Sequence, residues 1–163
     1  MKSFTDNAGR SWVISVNVGT IKQVRALCEV DLANIISMEP GKPPNVEVLE
    51  KLADDPVLLV DVLYAACKEE ADQKKISDVD FGRAMAGDTI EMATAALLDE
   101  IVDFFPEGKR RILQKVLGAT RRFREKSKAA LSELLGDPTL DSKIDDALEQ
   151  LTSSSTSSPE SAQ

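Results

Sequence analysis

The chain contains no histidine. That removes the side chain that most often moves protons near neutral pH, and with it the commonest metal ligand. No Ser-His-Asp or Cys-His arrangement can exist. A Ser-Lys or carboxylate pair stays chemically open, but no order of residues singles one out. Cysteine is nearly absent. Cys28 and Cys67 are too few for a disulfide framework. Each sits in an apolar helical pattern that suits a small buried hydrophobe in a reducing cytoplasm. Aromatics make up 4% of the residues, with one Trp and one Tyr. The core must therefore come from Leu, Val, Ile and Ala, a palette that fits packed helices better than a β-sandwich. Apolar runs such as Val57 to Val60 fall far short of a membrane span, and the start Met1-Lys2-Ser3-Phe4-Thr5-Asp6 carries no apolar stretch of signal-peptide type. Gly82 and Gly87 lack the Lys-Ser/Thr that completes a phosphate loop. A calcium-loop alignment over Glu69–Asp80 fails, because Ala71 and Gln73 fall where oxygen ligands belong and Lys74 replaces the turn glycine. These absences argue for binding over catalysis, with no cofactor and no metal.

What is present describes a mainly α protein with a short N-terminal β-hairpin. At 163 residues and 42% hydrophobic, the chain suits one domain and a tail. Residues 3–18 read as a hairpin around Asp6-Asn7-Ala8-Gly9, with Trp12, Ile14, Val16 and Val18 alternating onto one face. Thr20 and Gln23 have the spacing of a capping box for a helix through Ile21, Val24, Leu27 and Cys28. Gly41, Pro43 and Pro44 break the loop 38–45, and Asn45 is placed to cap a short helix with Val46, Leu49 and Leu52. Asp55-Pro56 opens a central buried helix over 57–73. Ser77 caps another, and Asp88 with Glu91 suggests a second capping box for a helix reaching Phe104-Phe105. A long basic helix is expected over 109–135, so that residues 1–135 form hairpin plus compact helical domain. A short helix follows within 136–151. The Ser-rich stretch 152–163 holds no core-forming residue and reads as a disordered tail.

Charge is segregated. The net charge is −8, yet Lys109, Arg110, Arg111, Lys115, Arg121, Arg122, Arg124, Lys126 and Lys128 crowd one expected helix. Such a helix can meet an acidic protein partner, phosphates, or water alone. Its apolar stripe, Ile112, Val116, Phe123, Ala130 and Leu134, is too sparse for full burial. Phe104-Phe105 ahead of Pro106 close the core or anchor a partner. The candidate partner-binding residues are thus Phe104, Phe105, Arg110, Arg111, Arg121, Arg122, Phe123 and Arg124. The rival reading is a small nucleic-acid-binding regulator using the basic helix 109–128. The free hairpin edge is a further place for self-pairing.

Three segments carry a resemblance: Phe4-Thr5-Asp6-x-x-Gly9-Arg10-x-Trp12, Asp55-Pro56-Val57-Leu58-Leu59, and Asp78-x-Asp80-Phe81-Gly82-Arg83-Ala84. Together with a helical second half and a Ser-rich end, the chain resembles the tail assembly chaperones of long-tailed bacteriophages and prophages. The resemblance implies a non-enzymatic role in virion assembly in the host cytoplasm. It implies binding to the tape measure protein and recruitment of tail tube protein, while the short apolar runs themselves lead to the expectation of no membrane attachment. It also implies a longer, frameshifted form to which residues 152–163 would be a linker.

Overall fold

The computed structural model describes residues 1–154, the last four as backbone only. The chain is mainly helical behind a two-stranded antiparallel hairpin. Strands β1 (Lys2–Thr5) and β2 (Ser11–Ile14) lead into helices α1 (Val18–Cys28), α2 (Glu47–Asp54), α3 (Pro56–Ala66), α4 (Lys68–Lys74), α5 (Asp78–Arg83), α6 (Asp88–Phe104), α7 (Glu107–Leu135) and α8 (Leu140–Ser154). It divides into two units, Met1–Gln114 and a second from Lys115 onward, with the division inside α7.

The hairpin turn is built around a carboxylate. Gly9, at φ +76°, supplies the left-handed residue, and its N–H donates to the Asp6 carbonyl at 2.9 Å. The Asp6 side chain is wholly buried and accepts four bonds. Ala8 N–H and Arg10 N–H donate to Oδ1 at 2.9 Å each, Arg10 Nε to Oδ2 at 2.7 Å, and the Trp12 indole to Oδ2 at 2.8 Å. Arg10 also reaches the Asp80 carbonyl at 3.1 Å. Asn7 fastens the same turn to the α5–α6 junction. Its N–H donates to Ala84 O and its side-chain amide to Ala86 O, while the Thr89 hydroxyl donates to Asn7 Oδ1 at 2.7 Å.

Register places Phe4 opposite Trp12, and the strand period sends Phe4, Trp12 and Ile14 inward. Four of the few aromatics meet there. Trp12 packs edge-on against Phe81 at 4.9 Å, with Tyr64 at 5.5 Å and Phe4 at 6.4 Å from the same ring. Val24 of α1, Val62 and Leu63 of α3, and Leu97 and Ile101 of α6 complete this core. On α6, Glu100 is nearly buried and pairs with the Met1 amino group at 3.1 Å.

Several local expectations are corrected. Val18 is not on the strand face: it starts α1 and is exposed. The cap of α1 is Asn17, whose side chain accepts from Thr20 N–H, while the Thr20 hydroxyl donates to Ser15 O at 2.8 Å. A carboxamide three residues upstream therefore displaces the expected Thr20 capping box. The helix expected over 57–73 breaks at Cys67, whose N–H is shared between Leu63 O and Tyr64 O. The chain restarts as α4 and turns Glu70 and Lys74 onto the free edge of β2. Helix α6 has no side-chain cap. It follows Gly87 at φ +57°, and Asp88 and Glu91 instead lie in its first turn, where carboxylates suit the helix dipole. Helix α8 runs through Thr152 to Ser154, where the expected tail starts, and the rest of that expected tail, residues 155–163, lies outside those described. The Asp55 and Ser77 caps form as read: Asp55 accepts from Val57 and Leu58, and Ser77 from Asp80.

Burial pushes the Asp6 carboxyl up, but the Trp12 indole and the Arg10 amide and guanidinium outweigh it and hold it below the usual carboxylate range. A carboxyl lowered in the folded state stabilises fully above the unfolded value and loses that contribution as pH falls through the folded one. Asp6→Asn is expected to cost about 3–5 kcal/mol, as when one partner of a buried ion pair is removed. It should also flatten the loss of stability below about pH 4. Urea unfolding followed by Trp12 fluorescence across pH checks both; an unchanged midpoint contradicts them.

Candidate functional site

In the first unit, several polar side chains near open surface are bonded within the fold. The outer edge of β2 is one such place. Val13 N–H donates to Glu70 Oε2 at 2.9 Å, Lys74 Nζ donates to Ser11 O, and Cys67 Sγ lies 3.8 Å from Val13 O. Lys74 also pairs with Glu70 at 2.7 Å and sits 4.6 Å over the Trp12 ring. The β2 edge expected to be open for pairing is therefore covered by side chains of α4. A polar cleft of about 380 Å³ lies beside it, lined by Asn17, Thr20, Gln23, Cys67, Glu69 and Glu70 among others. Burial and the neighbouring Glu70 push the Cys67 thiol up to about 12. At neutral pH it is protonated and a poor nucleophile. Glu70 is held below its ordinary value: burial raises it, and Lys74 and the Val13 amide more than offset this. A second cleft, about 370 Å³, is lined by Asn7, Arg10, Asp80 and Arg83, where Arg10 is already bonded to Asp6 and Asp80. Among the described residues, no three His, Cys, Asp or Glu side chains gather as a metal site.

The partner-binding candidates separate into two groups. Phe105 is buried and Phe104 half-buried, with ring centroids 5.1 Å apart. Arg110 donates to Phe105 O at 3.2 Å and Asp103 O at 2.9 Å, satisfying carbonyls at the C-terminal end of α6. Lys109 donates to Ala33 O, between α1 and α2, at 2.8 Å and lies 4.0 Å over the Phe105 ring. Arg111 pairs with Glu107 on the exposed face. Phe104, Phe105, Lys109 and Arg110 close the first unit, and Arg111 stays on its surface. Arg121, Arg122, Phe123 and Arg124 belong to the second unit and are exposed, Phe123 to 74%.

The second unit presents a different surface. Every residue from 119 to 136 and from 141 to 150 is exposed. Leu131, Leu134 and Leu135 on α7 are open, as are Ile144 and Leu148 on α8. Phe123 and Leu134 are legible in the sequence as part of the sparse α7 stripe. Leu140, Ile144, Leu148 and Leu151 are legible as a stripe at helical spacing, but only the fold shows that Ile144 and Leu148 stay open. Among the described residues, no helix is long and apolar enough to cross a membrane. Compared with known proteins, the chain matches no family model, no curated protein and no solved structure.

Arg110→Ala is expected to lower stability by about 1–2 kcal/mol through the unsatisfied α6 carbonyls. Arg122→Ala should stay within about 0.5 kcal/mol, as surface changes do. Chemical denaturation of the two variants distinguishes them; equal effects contradict the division into fold-closing and surface residues. A thiol-reactive probe on native protein should label Cys28, half-exposed, and reach Cys67 only on unfolding. Rapid native labelling of Cys67 overturns that ordering.

Proposed function

We propose that this chain is a non-enzymatic, protein-binding assembly factor that shields a long helical client. Its nearest counterpart in kind is the phage tail assembly chaperone it resembles. In that role it binds the tape measure protein in the host cytoplasm and helps recruit tail tube subunits.

One observation carries the reading. The second unit leaves Phe123, Leu131, Leu134 and Leu135 of α7 and Ile144 and Leu148 of α8 exposed, and charged residues flank them. An amphipathic client helix recognises such a surface through apolar residues at three- and four-residue spacing. Exposed apolar groups that nothing in the fold covers mark contact sites more often than random surface does. The strong net charge favours solubility of such a chain.

The nucleic-acid reading draws on five basic residues against one acidic between Arg121 and Lys128, all exposed. It loses ground at the other end of the segment, where Lys109 and Arg110 are bonded to backbone carbonyls of the first unit. It requires binding to generic duplex DNA at low salt that weakens steeply as salt rises.

Co-expression with a tape measure protein tests the proposal. The expected outcome is a co-purifying complex and a tape measure that stays soluble only in its presence. Leu134→Glu should weaken the complex while Trp12 fluorescence reports an intact first unit. A tape measure equally soluble alone, with no complex, removes the assignment. A salt-sensitive mobility shift with duplex DNA favours the rival.

A further inference from the structure

From the second unit we infer that the free protein self-associates, with the apolar stripe of α7 in one copy covered by the stripe of α8 in a second copy, and reciprocally. The inference concerns the free chain and stands apart from the identity of any client.

Three observations converge on this occupant. The first is matched length. Phe123, Ala130 and Leu134 on α7, with Ser127 interposed, recur at helical spacing, as do Leu140, Ile144, Leu148 and Leu151 on α8. Phe123 to Leu134 and Leu140 to Leu151 are separated by the same number of residues, so each stripe runs about 17 Å along its helix. Two helices with such stripes pack along their seams.

The second is charge. Between Arg121 and Lys128 there are five basic residues and one acidic; between Leu140 and Gln150 there are four acidic and one basic. An antiparallel alignment sets the basic stretch toward Asp146 and Glu149, with no cation facing it, and sets Glu133 beside both Asp141 and Lys143. A parallel alignment sets the basic stretch toward Asp141 and Asp145 but also Lys143, and sets Glu133 near Glu149. Opposite charges meet in either direction, and the antiparallel form sets fewer like charges together.

The third is the link between the helices. Gly136 N–H bonds to Ser132 O and Glu133 O, closing α7. The Asp137 side chain accepts from the Thr139 amide at 2.9 Å, the Thr139 hydroxyl at 2.7 Å and Lys143 Nζ at 2.8 Å. Leu140 N–H donates to Asp137 O at 3.0 Å. With this four-residue connection bonded, residues 119–136 of α7 and 141–150 of α8 are exposed, so the two stripes do not cover each other within one chain. Covering the stripes then falls to a second copy. Because each chain carries both stripes, the contact is made twice about a two-fold axis and closes as a dimer.

Light scattering on the full chain after size exclusion tests this across a dilution series. Wild type is expected as a dimer that dissociates on dilution and is weakened by salt. Leu134→Glu and Ile144→Glu are each expected to run as monomers, with association weakened about tenfold or more, and with unchanged Trp12 fluorescence and unfolding midpoint. Mixing the two variants should restore association, because one of the two reciprocal contacts then joins unsubstituted α7 to unsubstituted α8. A wild-type monomer at all concentrations overturns the inference, whether its stripes exchange amide hydrogens freely or are protected by folding back. So does a dimer that both variants leave intact, and so does a mixture that stays monomeric.

Discussion

A carboxylate with no solvent around it organises the first unit. Asp6 is held by two backbone amides, a guanidinium and an indole, so it is charged, buried and fully bonded at once. An ion in that position is tolerable only while every donor stays in place. The bond to Trp12 fixes the ring that Phe81 packs against. The Arg10 bond to Asp80 O fixes the start of α5, and Asn7 beside it ties the turn to α6. One short turn thereby sets the relation of the hairpin to α5 and α6. With so few aromatics, clustering Phe4, Trp12, Tyr64 and Phe81 around one ring concentrates much of the available large apolar surface behind that turn.

The break at Cys67 serves the same hairpin from the other side. A two-stranded sheet exposes two edges, and unpaired amides there invite pairing with other chains. By ending α3 and restarting as α4, the chain brings Glu70 to Val13 N–H and Lys74 to Ser11 O, so the β2 edge is bonded by side chains in place of a third strand. Cys67, at the break itself, is buried and protonated, and its contribution is packing and a weak bond to Val13 O.

The second unit obeys other rules. Its helices bury almost nothing of their own, so their helicity rests on local spacing, on ion pairs along the surface and on the Asp137 turn. Helices of this kind in water gain little from propensity alone and gain most from covering an apolar face. A reciprocal contact between copies and a client helix draw on that same unmet burial, which places a binding role and self-association in competition for one surface.

The sequence by itself determined the class of the fold, because hydrophobic periodicity is a local property. The hairpin turn at Asp6–Gly9, the Asp55 and Ser77 caps, the long helix before Gly136 and the stripes of α7 and α8 are each written within a few neighbouring residues. The absence of histidine was equally legible. Only the tertiary structure decided what depends on distant partners. Asn17 over Thr20 as the cap and Gly87 over Asp88 before α6 turn on competing donors and acceptors that spacing cannot rank. The break at Cys67 turns on a strand edge more than fifty residues upstream. The candidate site divided for the same reason. Arg110 and Arg122 are alike as sequence, each a basic residue on one helix. The carbonyls of α6 make the first a structural donor, whereas the second is exposed on the second unit.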